Sequence, residues 1–184
     1  MLGGTEAPET TTDLLAGDLL NGTENPSSVA EGALETVVGL LLTSPTIEVT
    51  LALLDGLPAP IPDPMMAWWL TGIRLCAEAG VRPNPWTALD RANRAGIEAP
   101  PALRGLPLAA GWELVGKVSA VPFVVAHDLV LIVRAAHVRR TAEIANERLA
   151  AANWRGELVD LAALWQREAA AVLALLAEAV DAHV

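Results

Sequence analysis

The chain has 184 residues, of which 53% are hydrophobic and 18% are charged, and this balance excludes a mostly disordered protein. Its formal net charge is −10 at pH 7 and Lys117 is its only lysine, which argues against autonomous nucleic-acid binding because such domains usually carry a basic face. The apolar residues are mainly alanine, leucine and valine, which favours helices over sheets.

Cysteine usage and the amino terminus favour a cytoplasmic protein. Cys76 is the only cysteine, so the chain cannot form an internal disulfide. The first fifteen residues lack the basic and apolar regions of a signal peptide. The most apolar stretch, residues 118–133, contains His127 and Asp128 and is short for a membrane span, so we expect no membrane partner.

The amino-terminal part of the chain divides into a tail and a helical head. Residues 1–26 are acidic and rich in threonine, and we predict a flexible tail there. Residues 27–121 are predicted to form a compact head of about five short helices. Ser28 and Glu31 are spaced as a capping box for the first helix. Ser44, which precedes a proline, is predicted to start the second.

The third and fourth helices carry the clearest start and stop signals. Asp63 and Asn84 each precede a proline, which is typical of a helix start. Gly80 and Gly96 follow at the distance at which a glycine commonly ends a helix. We therefore predict helices between Asp63 and Gly80 and between Asn84 and Gly96.

Trp68 and Trp69 are adjacent in the predicted third helix. Neighbouring side chains on a helix point in different directions, so we expect that these two do not both face inward. Exposed tryptophans are frequent anchors of protein interfaces. Both are therefore candidate partner contacts.

The stretch GWELVGKVS, residues 111–119, is close to a phosphate-binding loop, in which glycine, four residues and Gly-Lys precede serine or threonine. Val118 stands where the hydroxyl residue should be, and no β-strand pattern precedes the stretch. We instead predict a short helix with Lys117 exposed near its end. The apolar residues that recur at helical spacing, and are expected to face inward, are Leu108, Trp112, Val115 and Val118.

Residues 122–184 are predicted to form a long antiparallel helical hairpin, packed on the head and on a neighbouring subunit. Its first helix runs from about residue 124 to 152, and its second begins near residue 157. Two such helices expose wide apolar faces, which the head or a second copy of the chain must cover. The residues predicted to carry the association are Val138, Ile144, Leu158, Leu161, Trp165 and Leu175.

No pattern of residues indicates catalysis. The three histidines are not spaced as metal ligands, and Cys76 lies among apolar residues typical of a core. Arg139 and Arg140 lie among the carboxylates of the long helix, and are interpreted either as part of a surface charge network or as contacts to phosphate or an acidic partner. We therefore predict that the chain is not an enzyme and has no catalytic, cofactor or metal site.

The order and spacing of four segments are similar to those of a known family. The segments are VVGLLL (37–42), DPMMAWWLTGI (63–73), GVRPNPWTAL (80–89) and SAVPFVVAHDLVLIVRAAHVRR (119–140). In this order they resemble the N-terminal domain of the DnaB-type replicative DNA helicases of bacteria. The acidic, histidine and aspartate positions of that family are occupied here by Leu34, Met66 and Asn84. These departures leave the identity of the partner open.

The resemblance implies a helical head followed by a hairpin, which self-associates into dimers and a three-fold assembly and offers a face to primase. It implies no ATPase activity for this chain, because that activity lies in a separate domain of the family. If the chain were part of a longer protein, the parent would be an ATP-dependent helicase. The partner would accordingly be primase, helicase or another replication protein.

Two other functions remain open from the sequence. The first is a regulatory or small-molecule-binding helical bundle unrelated to replication, for which a buried polar pocket would be the distinguishing feature. The second is a nucleotide enzyme that uses residues 111–118.

Overall fold

The computed structural model of the chain describes residues 26–154 and 158–181. These ranges contain seven α-helices and no β-strand, which confirms the all-helical fold class for this part of the chain. Nearly all of the tail predicted for residues 1–26 lies outside the described residues. The helices are α1 (Pro26–Leu41), α2 (Ile47–Gly56), α3 (Pro64–Glu78), α4 (Pro85–Arg94), α5 (Pro107–Lys117), α6 (Ala126–Trp154) and α7 (Leu158–Asp181), with short 3₁₀ turns at Pro101–Leu103 and Phe123–Val125.

The first two helices begin at other residues than the sequence predicts. α1 already includes Pro26, so Ser28 lies inside its first turn rather than before it. The N-cap of α2 is Thr46, whose hydroxyl accepts a hydrogen bond from the Val49 N–H at 3.3 Å. The predicted start at Ser44 is wrong because the Ser44 hydroxyl donates to the Thr46 carbonyl and caps no helix.

The predicted starts of α3 and α4 are confirmed. Asp63 Oδ1 accepts hydrogen bonds from the N–H groups of Met65 and Met66, at 2.7 and 3.0 Å. Asn84 forms a reciprocal capping box with Thr87, in which each side chain accepts from the backbone N–H of the other. These contacts satisfy N–H groups that the first turn of a helix leaves free.

The predicted glycine stops are confirmed as well. Gly80 has a φ of +70° and Gly96 a φ of +71°, which a side chain would strain. After α3, the Val81 N–H donates to the Cys76 carbonyl at 2.9 Å, and the Gly80 N–H donates to the Ala77 carbonyl at 3.0 Å. This pair of hydrogen bonds is a Schellman motif, which satisfies carbonyls at the end of the helix.

α3 lies at the centre of the core, and both of its tryptophans are buried. Trp68 is 5% exposed and Trp69 is 0% exposed. The Trp68 indole N–H donates to the Ile97 carbonyl at 3.4 Å, whereas the Trp69 ring lies against Gly111 of α5. The prediction that the two do not both face inward is wrong, because other elements cover α3 on several sides. Neither tryptophan is accessible to a partner in this structure.

Two glycines allow helices to cross at short distance. A Cβ atom at Gly39 of α1 would lie 2.6 Å from the Leu114 carbonyl oxygen of α5. A Cβ atom at Gly72 of α3 would lie 2.8 Å from the Ala88 carbonyl oxygen of α4. A Cβ carbon does not approach a carbonyl oxygen this closely, so both crossings require glycine.

The GWELVGKVS stretch lies in α5 apart from its last two residues, which confirms the predicted short helix. Its inward face, however, is shifted. Gly111, Leu114 and Val118 are buried, whereas Trp112 is 49% exposed. The prediction of an inward Trp112 is wrong because Gly111 contacts the Trp69 ring, and one residue along a helix turns the side chain by roughly 100°.

α6 packs against two parts of the molecule. Its residues Ala126, Val130 and Val133 belong to the same core as α1 and α3, and its later turns contact α7. The first turns of α6 are therefore shared with the preceding helices. The division into a head at residues 27–121 and a hairpin at residues 122–184 stays a prediction.

Candidate functional site

One segment of α7 is apolar on every side. Residues 169–177 read AAAVLALLA, without a charged or polar side chain over about two and a half turns. α6 is the main neighbour of α7 and covers one side of it. Leu173 and Leu176 in this segment are 64% and 44% exposed, and Trp165 one turn earlier is 59% exposed. We call Trp165, Leu173 and Leu176 the α7 apolar surface.

A shallow groove of about 360 Å³ lies between α6 and α7. Trp165 and Leu173 line it, so that it is continuous with the α7 apolar surface. Glu168 is the only ionisable residue of the lining. The remaining lining residues are small, apolar or an amide: Ala142, Ala145, Asn146, Leu149, Ala169 and Val172.

Glu168 is a buried carboxylate between the two helices. Its residue is 7% exposed, and it forms ion pairs with Arg148 of α6 and Arg167 of α7, both at 3.4 Å. A buried charge is costly without partners. The contact with Arg148 therefore favours one placement of α7 along α6.

The predicted association residues fall into three groups. Trp165 is exposed, as an interface residue in a single chain should be. Val138, Ile144 and Leu175 are half-buried. The side chains of Leu158 and Leu161 lie outside the described part of the structure.

Sequence reasoning missed the two residues of α7 that are exposed beside Leu175. Leu173 and Leu176 belong to the α7 apolar surface, although only Leu175 was predicted to carry association. The signal that could have found them is the uncharged run 169–177, because a helix without polar residues on any side is normally covered on all sides.

The two arginines predicted as partner contacts lie on the surface of α6. Arg139 and Arg140 are both exposed, and Arg140 forms an ion pair with Glu143 at 3.3 Å. This ion pair fits the interpretation of the two arginines as part of a surface charge network. Their contact with a partner stays a prediction.

A second cavity, of about 410 Å³, lies between the start of α1, the α2–α3 connector and the middle of α6. We call it the α1–α6 pocket. Its polar lining consists of Ser27, Glu31, Asp63, His137 and Arg140. Its apolar lining consists of Ala30, Leu34, Pro58, Ile61, Pro62, Val133 and Ala136.

Cys76 and Lys117 have environments that oppose reactivity. Burial raises the pKa of the Cys76 thiol, which disfavours the reactive thiolate. The Lys117 ammonium donates to Glu35 of α1 at 2.9 Å and lies 3.7 Å from Glu113, and the hydrogen bond to Glu35 raises the pKa of Lys117. The lysine of the GWELVGKVS stretch thus joins α5 to α1 in a surface ion pair.

The described residues contain neither a cluster of metal ligands nor a membrane-spanning helix. Within residues 26–154 and 158–181, no three histidine, cysteine, aspartate or glutamate side chains are grouped so that they could hold a metal ion. In the same ranges, no helix combines the length and the apolar content needed to cross a bilayer.

Comparison of the chain with protein-family models, with curated proteins and with solved structures finds no match.

Proposed function

We propose that this chain is a non-catalytic protein-interaction module that associates with a second copy of itself through the α7 apolar surface. The observation that carries the proposal is the run of nine apolar residues at 169–177, which includes Leu173 at 64% exposed and Leu176 at 44% exposed. A helix that is apolar all round is covered on all sides in folded proteins.

A second copy suits this surface better than a charged partner does. The segment carries no charge, so its burial leaves no ion unpaired. Two copies that carry a net charge of −10 each repel one another, and an uncharged segment such as 169–177 is where that repulsion is weakest. A two-fold interface places the same patch of both subunits in contact, so that each apolar surface covers the other.

The proposal extends to the replication machinery on the basis of the four segments that resemble the DnaB-type helicase domain. In this extension α6 and α7 form the hairpin of a head-plus-hairpin domain, α7 carries self-association, and the partner is a primase or a replicative helicase. The extension is supported by the order of the segments and by the acidic balance of the chain. It is tested by direct binding of the purified chain to the primase and helicase of its own organism.

The self-association is tested by the molar mass in solution, measured by light scattering over a range of concentrations. We expect the wild-type chain to exceed the monomer mass and Trp165→Ser to shift it toward the monomer. Trp86→Ser is the matched control, because Trp86 is a tryptophan of similar exposure, 62%, on α4. A monomeric wild type at tens of micromolar would refute self-association. An equal effect of both variants would refute the assignment to α7.

A further inference from the structure

We infer that the α1–α6 pocket binds a small organic cation, that is, a molecule with an apolar body and one ammonium group. Nothing in the proposed self-association uses this cavity, since it is formed by α1, the α2–α3 connector and α6. Its volume of about 410 Å³ lies in the range of ordinary small-molecule sites.

The lining has an apolar floor and a polar rim. On α1 the pocket is lined at positions 27, 30, 31 and 34, and on α6 at positions 133, 136, 137 and 140, so each helix presents one face. The innermost residues are Leu34 at 7% and Val133 at 6% exposed. Glu31 and Arg140 are exposed, so they lie at the solvent side of these faces. A ligand that fits would have an apolar body and a polar head.

The charges at the rim favour a positive head. The Glu31 carboxylate has no hydrogen-bond or ion-pair partner among the described residues. Asp63 adds a second carboxylate, although its Oδ1 atom already accepts two N–H groups of α3. The positive charge of Arg140 is offset by Glu143 at 3.3 Å. The rim therefore carries an excess of negative charge beside an apolar floor, which is the arrangement that attracts an alkyl or arylalkyl ammonium ion.

The amino-terminal segment of the chain is a poor occupant of the same site. Residues 1–25 end two positions before the pocket residue Ser27, so they are close enough in sequence to reach it. They contain five acidic side chains and no lysine or arginine. Their negative charge would add to that of Glu31 and Asp63, and this repulsion favours an external cation.

The test compares three probes that share one apolar body and differ in charge: 2-phenylethylammonium, 2-phenylethanol and phenylacetate. Binding to the full chain is followed by chemical-shift changes in NMR spectra at millimolar probe concentration. We expect the ammonium probe to bind about fivefold more tightly than the alcohol, as a partly exposed ion pair allows, and phenylacetate to bind least. Tighter binding of phenylacetate, or no binding of any probe, would overturn the inference.

Two pairs of variants assign the binding to the pocket. Ala136→Leu fills the cavity and should abolish binding, whereas Ala135→Leu adds the same volume at the neighbouring exposed position and should leave binding unchanged. Glu31→Gln should remove the preference for the ammonium probe over the alcohol, and Glu98→Gln, at an exposed carboxylate outside the pocket, should keep it. If Ala136→Leu fails to fold, the comparison of Glu31→Gln with Glu98→Gln decides whether the ligand binds in the pocket. Binding that neither Glu31→Gln nor Ala136→Leu alters would place the ligand elsewhere and refute the inference.

Discussion

Large apolar side chains fill the core of α1 to α5 and the first turns of α6, whereas the later turns of α6 and α7 bury very little. Trp69, Leu41 and Ile73 are almost completely buried in the first region. In the second, among the described side chains of residues 134–152 and 163–177, only Ala145 and Glu168 are buried. Both regions are rich in alanine and leucine. The first region buries a large apolar core, although Trp86 and Trp112 remain exposed at its surface. The second leaves the α7 apolar surface exposed and buries no large apolar side chain among those described.

The largest expected difference between the two regions is in the stability lost when one leucine of each is replaced by alanine. Leu41→Ala removes a side chain that is 0% exposed and should lower the free energy of unfolding by about 2–5 kcal/mol, through lost burial and a residual cavity. Leu173→Ala removes a side chain that is 64% exposed, and at low protein concentration it should change the free energy of unfolding by less than about 0.5 kcal/mol. Urea unfolding at low and high protein concentration measures both. Equal losses at low concentration would contradict the distinction between the two regions.

Two glycines of α5, one buried and one exposed, test how closely α3 and α5 pack in the core. Gly111→Ala would place a Cβ atom 2.5 Å from the Trp69 ring and should destabilise the fold by about 1–3 kcal/mol through overpacking. Gly116→Ala meets no atom within 4 Å and should stabilise by up to about 1 kcal/mol, because alanine favours a helix more than glycine does. Thermal unfolding of both variants gives the comparison. A stabilising Gly111→Ala would show that α3 and α5 are not in close contact.

The smallest expected effect concerns the ion pair between Lys117 of α5 and Glu35 of α1. The hydrogen bond to Glu35 raises the pKa of Lys117 in the folded state. Its contribution to stability is therefore complete below the ordinary lysine pKa of about 10.4 and is lost as the pH rises through the raised value. The Lys117 side chain is 51% exposed, so the contribution should stay below about 1 kcal/mol.

A double-mutant cycle isolates this contribution. Lys117→Gln and Glu35→Gln are combined, and unfolding is measured at pH 8 and at pH 11. The coupling free energy should be measurable at pH 8, smaller at pH 11 because the pH then enters the range in which Lys117 loses its proton, and weaker with added salt. A coupling that is as large at pH 11 as at pH 8 would contradict an ionic interaction at this position.

Local signals predicted most of the helix boundaries correctly. Asp63, Asn84, Gly80 and Gly96 act within one turn of the chain, through hydrogen bonds to their own helix, so the tertiary structure has little influence on them. The start of α2 was missed because Ser44 and Thr46 both suit a cap, and only the three-dimensional path of the chain selects Thr46.

The inward faces were harder to predict, because a helix can have more than one covered side. Trp68 and Trp69 are both buried since α3 has neighbours on several sides, and a rule for a helix with one buried face does not apply to it. Trp112 is exposed because Gly111 takes the inward position, where only a residue without a side chain fits. Both outcomes depend on the helices that pack against α3 and α5, and not only on the residues of those two helices.

The segments that resemble the DnaB-type helicase domain consist largely of helix caps and buried core residues. VVGLLL forms the buried end of α1, and DPMMAWWLTGI contains the cap and core of α3. Capping and core residues serve the fold, so this resemblance bears on the arrangement of helices more than on a partner. The α1–α6 pocket and the α7 apolar surface lie mostly outside these segments.

The sequence by itself determined that the chain is helical and where most helices begin and end, because capping and helix propensity act over a few residues. It also determined that α7 contains a helical turn without polar residues. Only the tertiary structure decided which faces are covered, since burial depends on residues distant in sequence such as Gly111 and Trp69. It likewise placed Glu31 and Val133 in the lining of the same cavity, a proximity that no local pattern encodes.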